Sequence, residues 1–282
     1  SRAVLCSDGL RPLPLDRQSM TLQRDIQPEW MDDPDIDPAL HRDALIGLAR
    51  LNRFSRIAPV LYRTLHQNWI QCGRPATFRV LDIASGSGDL PMDWLRRSRR
   101  DDWPLSIVAT DINPTAVETI RRGADNAGVN EHLTPARFDA LQPDAADSLR
   151  QLSGEPFDVA EPFDVAICSL FAHHLTDQQN TRLLQTMRAM ANHIIVCDLH
   201  RSRINRLLIW IASRVLTRSP VVHTDAMLSI NGAYTATEFE RLASGALRPT
   251  EDHPPTLDCK IRSNFPCRFL FHATTKQPSV SG

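Results

Sequence analysis

Residues 80–90 read VLDIASGSGDL, an apolar strand that runs into a glycine-containing loop and then into a helix. Gly86 and Gly88 let the backbone turn sharply and approach a ligand closely at the helix N-terminus. One acidic residue, Asp82, stands before the loop, and another, Asp89, follows it directly. The stretch therefore predicts a βα unit whose loop binds a nucleotide-like ligand.

Short apolar runs recur along the chain after this motif. Together with the strand at 78–83, they cover residues 105–110, 163–169 and 193–198, and more weakly 136–140. Helical stretches lie between them. Because strands that alternate with helices pair in parallel through right-handed crossovers, the pattern predicts a Rossmann-like, doubly wound α/β sheet. Residues 256–261 and 267–273 are predicted to add an antiparallel terminal hairpin.

Capping residues mark the helix boundaries. Asn113 followed by Pro114 predicts a helix start, and Gly128 predicts its end. Thr176–Gln179 and Thr235–Glu238 both have the capping-box pattern. These signals place helices between the predicted strands.

Two further features lie outside this pattern. Residues 1–38 are a proline-rich, irregular leader, and 38–71 have the spacing of two amphipathic helices, bent or separated near Pro59, which would form an N-terminal cover. The hexapeptide EPFDVA occurs twice in tandem, at 155–160 and 161–166. We expect the first copy to be a loop and only the second to enter the sheet.

Length and composition limit the class of protein. The chain has 282 residues, of which 42% are hydrophobic, as in an ordinary globular protein. We divide it into leader and helical cover (1–75), ligand-binding core (76–200), and a substrate or lid segment with the hairpin (201–282). The net charge of −1 disfavours a nucleic-acid partner. Six scattered cysteines without a CxxC pair disfavour a structural zinc and fit a reducing cytoplasm.

The carboxylates around the loop select among nucleotide cofactors. A dinucleotide needs the pattern GxGxxG and rests its diphosphate on the helix N-terminus, where Asp82 and Asp89 would repel it. S-adenosylmethionine (SAM) carries an ammonium and a sulfonium group and no phosphate, so it suits two carboxylates. Asp111, after the second strand, can accept hydrogen bonds from both ribose hydroxyls, and Asp139, after the third, from an adenine amino group.

Residues 76–200 resemble the class I SAM-dependent methyltransferases, in particular the small-molecule type that includes quinone and polyketide methyltransferases. In that family Asp82 and Asp111 match motif acids, whereas Ala84 stands where the first loop glycine is usual. The resemblance implies a seven-stranded sheet, SAM as cofactor and S-adenosylhomocysteine (SAH) as product. The cofactor-binding positions that we predict are Asp82, Ala84, Gly86, Gly88, Asp111, Ile112, Asp139, Ala140 and Ser169. The stretches PEWMDDPDIDP (28–38) and VHTDAMLSINGAYTATEFERL (222–242) are similar to parts of a bacterial subgroup.

Methyl transfer needs a nucleophile aligned with the sulfonium methyl and, for some acceptors, a base. Candidate bases near strand ends are His173, His174, Asp198, His200, His223 and Asp225. We select His173, His174 and His223 as candidate catalytic residues, with His223 and Asp225 on a loop of a turn-rich segment. In the family the histidine pair more often shapes the pocket than acts as base. No cluster of carboxylates predicts a magnesium site, so no metal is expected.

A sequence motif that the chain lacks narrows the range of possible methyl acceptors. Relatives that methylate nucleobases have an Asn- or Asp-Pro-Pro-aromatic motif after strand four, where this chain has Ser169-Leu-Phe-Ala. A small lipophilic acceptor of phenolic, quinone or polyketide type is our leading hypothesis, with a protein acceptor still open. The predicted helix 204–216 has an apolar stripe flanked by arginines, which would cover such an acceptor, touch a membrane surface or pack on the core. Alternative functions are an NAD(P)-dependent oxidoreductase and a non-catalytic cofactor-binding relic.

Overall fold

The computed structural model describes residues 22–32, 55–151, 161–249, 257–264 and 266–275, with isolated positions between 36 and 51. Within them, seven strands form one sheet in the order β3-β2-β1-β4-β5-β7-β6. The strands are β1 (Phe78–Ile83), β2 (Leu105–Asp111), β3 (Leu133–Arg137), β4 (Phe163–Ser169), β5 (Ala191–Leu199), β6 (Leu257–Asn264) and β7 (Arg268–Thr275). Strands β1 to β5 are parallel, and β7 pairs antiparallel with β5 and β6. The predicted fold class is confirmed.

Helices connect the strands in this part of the chain. They are α1 (Ile57–Gln71), α2 (Asp89–Arg100), α3 (Pro114–Ala127), α4 (Ala145–Gln151), α5 (Asp177–Met190), α6 (Arg203–Leu216), α7 (Pro220–Gly232) and α8 (Ala236–Ala246). Single 3-10 turns lie at Trp30–Asp32 and Ala172–His174. Asn113 caps α3 and Gly128 ends it, and both predicted capping boxes form, at the starts of α5 and α8.

Both faces of the sheet are buried, as expected for a doubly wound fold. On one face Val80 packs in a core that includes Trp94 of α2, together with residues of α1 and α3. On the other face Leu81 shares a core with Leu184 of α5 and Phe239 of α8. Adjacent residues of β1 thus point to opposite cores, which is why the strand reads as a continuous apolar run. Its carboxyl end emerges between the two cores and presents the glycine loop.

Several predicted boundaries need correction or fall outside the described residues. β3 covers Leu133–Arg137 rather than 136–140, so Asp139 lies in the turn beyond the strand. The second EPFDVA copy enters the sheet at Phe163, as predicted, whereas the first copy lies outside the described residues. Pro59 lies in the first turn of α1, where proline is compatible with a helix. The division at residues 75 and 200 stays a prediction.

The segment predicted to be turn-rich before Thr235 is instead the helix α7. Ser219 caps it by accepting a hydrogen bond from the Val222 N–H, and Pro220 occupies its first turn. Proline is favoured at that position because its missing N–H would have no helical partner there. The prediction was wrong because Ser219-Pro220 marks a helix start here rather than a break. His223 and Asp225 therefore lie on a helix and not on a loop.

Residues 22–32, which we call the N-terminal strap, cross the carboxyl end of the sheet. The Arg24 side chain donates to the carbonyl oxygens of Gly232 and Leu175, at 2.7 and 2.6 Å, and its guanidinium stacks on the Tyr234 ring. The buried Arg201 donates to the Leu22 carbonyl at 2.7 Å. These contacts hold the strap against the segments that follow β4, β5 and α7.

Candidate functional site

The loop between β1 and α2 has an unusual backbone. Ala84, Gly86 and Gly88 all have positive φ angles, of 57°, 56° and 76°. Glycine adopts this left-handed region without a steric penalty, whereas a residue with a Cβ pays about 1–2 kcal/mol. Ala84, which stands where the family that the sequence resembles usually has glycine, adopts the conformation that glycine favours. The loop thus has three residues with left-handed backbone conformation, one of which carries a Cβ atom.

Gly88 is also required for close packing. A Cβ atom built on Gly88 would lie 2.9 Å from Cγ1 of Ile120 on α3, closer than real Cβ contacts. By contrast, Gly86 has nothing within 4 Å of such a Cβ and is exposed to solvent. Gly88 thus allows α2 and α3 to pack closely, and Gly86 leaves the outer side of the loop open to a ligand.

Asp82 is a buried carboxyl directly beneath this loop. Its Oδ2 accepts a hydrogen bond from Ser85 Oγ at 2.7 Å, whereas Oδ1 is buried and, among the described residues, has no hydrogen-bond partner. Burial raises its pKa to about 7, and the nearby Asp111 adds to the effect while Ser85 opposes it. A buried acceptor without a partner is costly, so this oxygen is suited to a cationic or hydrogen-bond-donating ligand.

Asp111, the last residue of β2, fixes the second side of the loop. Its Oδ2 accepts from the Gly86 N–H and its Oδ1 from the Asn113 N–H, both at 2.9 Å. Each carboxylate oxygen has lone-pair capacity for a further donor. The adjacent Ile112 side chain is 57% exposed, an apolar surface beside the open loop. The structure thus brings Asp82, Gly86, Asp111 and Ile112 to one edge of the sheet.

The remaining predicted cofactor positions lie on neighbouring strand ends. Asp139 Oδ1 accepts from the Leu141 N–H at 2.9 Å, so this carboxylate caps its own turn. Ala140 is buried, and its carbonyl accepts from Thr186 of α5. Ser169 ends β4, which pairs directly with β1. All three positions thus lie at or just beyond the carboxyl ends of strands of the parallel region.

A second cluster of polar side chains lies after β4. His173 Nδ1 is 2.6 Å from Asp198 Oδ1, and the His173 backbone N–H donates to Asp198 Oδ2 at 3.0 Å. The His173 and His174 rings lie 4.1 Å apart. Glu29 of the strap has its Oε1 atom 3.8 Å from His173 Nε2 and 3.9 Å from His174 Nε2. Asp198 therefore orients His173, and Glu29 faces both imidazoles.

The two histidines have opposite electrostatic surroundings. Burial opposes the charged form of His173, but Asp198 and Glu29 outweigh burial and raise its pKa above the usual value. Burial and the neighbouring His173 lower the pKa of His174 to about 4. Burial likewise opposes ionisation of Asp198, yet His173 and the Leu199 N–H lower its pKa overall. At neutral pH His174 is thus neutral, beside an ionised Asp198 whose charge favours the imidazolium form of His173.

Glu29 was not among the predicted site residues. The strap carries it to the cluster because Asp225 of α7 accepts hydrogen bonds from the Trp30 and Met31 N–H groups, at 2.8 and 3.0 Å. Ser229 of the same helix donates to Glu29 Oε1. The two stretches that resemble a bacterial subgroup, 28–38 and 222–242, thus contact each other. Their resemblance to the same subgroup was the one sequence feature that could have drawn attention to Glu29. It did not indicate that the two stretches contact each other.

The other candidate bases have structural partners. His223 Nε2 lies 3.0 Å from the Thr217 carbonyl oxygen, at the turn before α7. Asp225 holds the strap, as described above. The His200 backbone N–H donates to the Cys267 carbonyl, and burial lowers the pKa of its imidazole. The structure brings His173 and His174 together, whereas His223 lies in the first turn of α7 and contacts the Thr217 carbonyl.

One group in the described part of the chain has ligand atoms spaced as a metal site requires. The ligand atoms of Glu29, His173 and His174 lie within 4.8 Å of one another. Two imidazole nitrogens and one carboxylate are a ligand set that suits a transition metal better than magnesium. The same three groups can equally share protons, since Asp198 already holds Nδ1 of His173.

Comparisons with known proteins add the family context. No protein-family model matches the chain, and no curated protein matches it. Solved structures of methyltransferases are similar to it. The chain has the class I methyltransferase fold.

Three of these structures illustrate the likeness. The plantazolicin methyltransferase BpumL, in complex with a pentazolic desmethylPZN analogue and SAH, has a TM-score of 0.56 and 15% identity, covering 88% of this chain and 93% of that chain. The SAM-dependent methyltransferase SibL in its apo form has a TM-score of 0.55 and 13% identity, and the match covers 86% of this chain and 60% of that chain. A family 2 O-methyltransferase from Planctomyces limnophilus DSM 3776, in complex with apigenin, has a TM-score of 0.51 and 17% identity, and the match covers 86% of this chain and 63% of that chain.

The likeness at these identities concerns the fold. The chain spans about 60% of the length of SibL. Within the described residues, no helix combines the length and apolar character needed to cross a membrane. The class I methyltransferase fold accounts for the position of the glycine loop at the carboxyl ends of the parallel strands, where open α/β sheets bind ligands.

Proposed function

We propose that the chain is a SAM-dependent methyltransferase that acts on a small lipophilic acceptor. The observation that carries the proposal is the paired arrangement of Asp82 and Asp111 around the loop 84–88. One carboxylate is buried beneath the loop with an oxygen that has no partner in the described structure, and the other holds the loop open at its edge. Bound SAM would supply an activated methyl group on a positively charged sulfur.

The residues at the loop match the chemistry of this cofactor. Asp111 retains acceptor capacity for two ribose hydroxyls, and Ile112 offers an apolar surface to the adenine ring. Asp82 can accept from a cationic group through Oδ1. A nicotinamide dinucleotide would instead bring a diphosphate close to the carboxylates of Asp82, Asp89 and Asp111, which is electrostatically unfavourable. This difference favours methyl transfer over the oxidoreductase alternative.

The histidine cluster is proposed to handle the acceptor proton. His174 is neutral and partly exposed, so its Nε2 can accept a hydrogen bond from an acceptor hydroxyl. Glu29 lies next to that nitrogen and can stabilise the resulting charge. His173, fixed by Asp198, positions Glu29 and the 3-10 turn rather than touching the acceptor. His223 stays a weaker candidate, because its ring is engaged with a backbone carbonyl.

The lipophilic nature of the acceptor is inferred from two sources. The Planctomyces relative was solved with apigenin, a flavonoid phenol. In this chain Phe171 lies beside His174, with ring centroids 6.3 Å apart, and gives the cluster an apolar neighbour. A phenolic or enolic hydroxyl on an apolar ring system fits both observations.

Calorimetry with the purified chain tests cofactor choice first. We expect SAH to bind and NADH not to bind; NADH binding without SAH binding would reject the proposal. Turnover is then measured with methyl-labelled SAM over panels of phenolic, quinone, polyketide-like and polar acceptors. Methylation of polar acceptors alone would refute the lipophilic assignment, and SAH binding without turnover of any acceptor would favour the non-catalytic relic.

The role of the cluster is tested by substitution. His174→Ala is expected to lower kcat by about 100-fold, within the range for loss of general base catalysis, and to leave SAH affinity unchanged. The matched control is His132→Ala, at an exposed position before β3, which should leave both quantities unchanged. EDTA should not affect the rate if the cluster carries protons; loss of activity that zinc restores would assign it a metal instead.

A further inference from the structure

Helix α6 presents most of its large apolar side chains to solvent. Five of them form one stripe along the helix, and their exposed fractions range from 39% to 75%. We call this stripe the α6 face; its residues are Ile204, Leu207, Leu208, Ile211 and Val215. An amphipathic helix at a protein surface normally turns such a stripe to the core. α6 has the reverse orientation.

The opposite side of α6 makes the contacts with the protein. Ser213 is its one buried residue among those described, and the helix packs against α7. The half-buried Ile209, Ala212 and Leu216 lie on the same side of α6 as Ser213, whereas the five residues of the stripe face outward. Exposed apolar patches of this kind mark interaction surfaces, because they are unfavourable in water.

The charged residues of α6 all have the same sign. Arg203, Arg206 and Arg214 are exposed on the same helix, and no acidic residue occurs between Arg201 and Thr224. The Arg214 guanidinium lies 4.4 Å from the centre of the Trp210 ring, which is itself partly exposed at the border of the stripe. Tryptophan and arginine are typical of the boundary between apolar and polar phases.

We propose that the α6 face binds the surface of an anionic lipid membrane. An aliphatic stripe bordered by arginines and a tryptophan matches a helix that lies in the membrane interface, with its apolar side in the acyl region and its cations at the headgroups. The length of α6, 14 residues, is compatible with lying on the membrane and too short for spanning it. The enzyme would thereby approach a lipophilic acceptor dissolved in the bilayer.

Charge distinguishes this partner from two other occupants. In a symmetric contact with a second copy, antiparallel α6 helices would bring arginines of one copy near those of the other, which is unfavourable. Residues 1–21 contain three arginines and two aspartates, so that segment offers no excess negative charge either. An anionic surface complements all the arginines at once.

The test is sedimentation of the full chain, without cofactor, with POPC vesicles and with 3:1 POPC:POPG vesicles. We expect binding to the anionic vesicles only, and at least tenfold weaker binding in 0.5 M than in 0.05 M NaCl. Because the assay needs neither SAM nor an acceptor, its outcome is independent of the proposed methyl transfer.

Paired variants identify the surface. The double variant Arg203→Gln/Arg206→Gln should weaken partitioning about 30-fold, since each arginine near an anionic surface contributes roughly a factor of five. The control variant Arg96→Gln/Arg99→Gln removes the same number of charges from exposed positions of α2. It should weaken vesicle partitioning only by the small amount that the change in net charge causes. Circular dichroism checks that each variant is folded.

The apolar stripe is tested separately. Leu207→Gln/Ile211→Gln should weaken binding at least about tenfold, whereas Ile70→Gln, at another exposed isoleucine, should not. Absence of binding to anionic vesicles, equal binding to POPC, or equal losses in the two arginine pairs would overturn the proposal. So would a dimer in solution that Leu207→Gln/Ile211→Gln dissociates while vesicle binding is unchanged.

Discussion

Replacing Asp111 by alanine removes two hydrogen bonds that hold the glycine loop. The Gly86 and Asn113 N–H groups each donate to its carboxylate at 2.9 Å. Hydrogen bonds to a charged group contribute about 1.5–3 kcal/mol each when buried, and less where water can replace the carboxylate, as at this exposed edge. We therefore expect Asp111→Ala to lower the free energy of unfolding by about 1–3 kcal/mol, a modest loss that leaves the chain folded.

The effect on cofactor affinity should be larger. If both ribose hydroxyls donate to Asp111, the variant loses two charge-assisted hydrogen bonds, and the Kd for SAH should rise at least about 100-fold. Calorimetric titration measures the Kd, and thermal unfolding measures the stability. Asp111→Asn, which keeps one acceptor oxygen, should be intermediate. Asp125→Ala, at an exposed aspartate of α3, serves as the matched control and should leave the Kd unchanged.

A modified ligand separates direct contact from loop collapse. The wild-type chain should bind a 2′-deoxy analogue of SAH much more weakly than SAH, whereas Asp111→Ala should bind the two alike, because the partner of that hydroxyl is already gone. If Asp111→Ala bound SAH as tightly as the wild type, Asp111 would not belong to the site. If it discriminated between SAH and the analogue as strongly as the wild type, Asp111 would act only through the loop.

Three further perturbations follow from the geometry of the site. Gly88→Ala places a Cβ atom at a positive φ and against Ile120, and should lower the free energy of unfolding, measured in urea, by about 2–4 kcal/mol. Gly128→Ala has a positive φ but open space around the new Cβ, and should lower it by about 1 kcal/mol. Equal losses for the two variants would contradict the packing argument. Asp198→Asn should cost about 3–5 kcal/mol at pH 5.5, where Asp198 is ionised and His173 is protonated. The cost should be smaller at higher pH, once His173 has lost its proton, and a cost independent of pH would refute the ion pair. The folded state holds the Asp82 proton up to about pH 7, whereas the unfolded state releases it near pH 4. The free energy of unfolding without ligand should therefore fall by up to about 4 kcal/mol between these two pH values. Asp82→Asn should lack this decrease, and parallel curves of stability against pH for the two proteins would contradict the raised pKa.

The sheet could be predicted from local patterns because each strand carries its own signal. Predicted and observed limits of β1 and β4 agree residue for residue, since a central parallel strand is buried on both faces and reads as a continuous apolar run. β3 is an edge strand of the sheet, where Pro135 interrupts a weaker apolar pattern, and its predicted limits were displaced by three residues. The starts of the capped helices could be predicted for the same reason, because a capping residue and its hydrogen-bond partner lie within three residues of each other in the sequence.

The orientation of α6 could not be predicted in the same way. Periodicity identifies an apolar stripe but not the medium that it faces, and burial in the core is the common outcome. The arginines beside the stripe were compatible with either orientation, because their long side chains reach solvent from the border of a buried face. The burial of Ser213, next to the half-buried Ile209 and Leu216, shows which side of α6 is turned inward.

The acceptor side of the site depends on contacts between distant parts of the chain. Glu29 approaches His173 across 144 residues, and Ser229, which donates to Glu29, lies 200 residues away from it. Neither contact follows from spacing or periodicity. The strap depends on Arg24, Arg201 and Asp225, which bind backbone groups and leave no local pattern in the sequence. Loss of one of these anchors should therefore change the acceptor side while leaving the glycine loop intact, so that acceptor KM rises and SAH affinity stays constant.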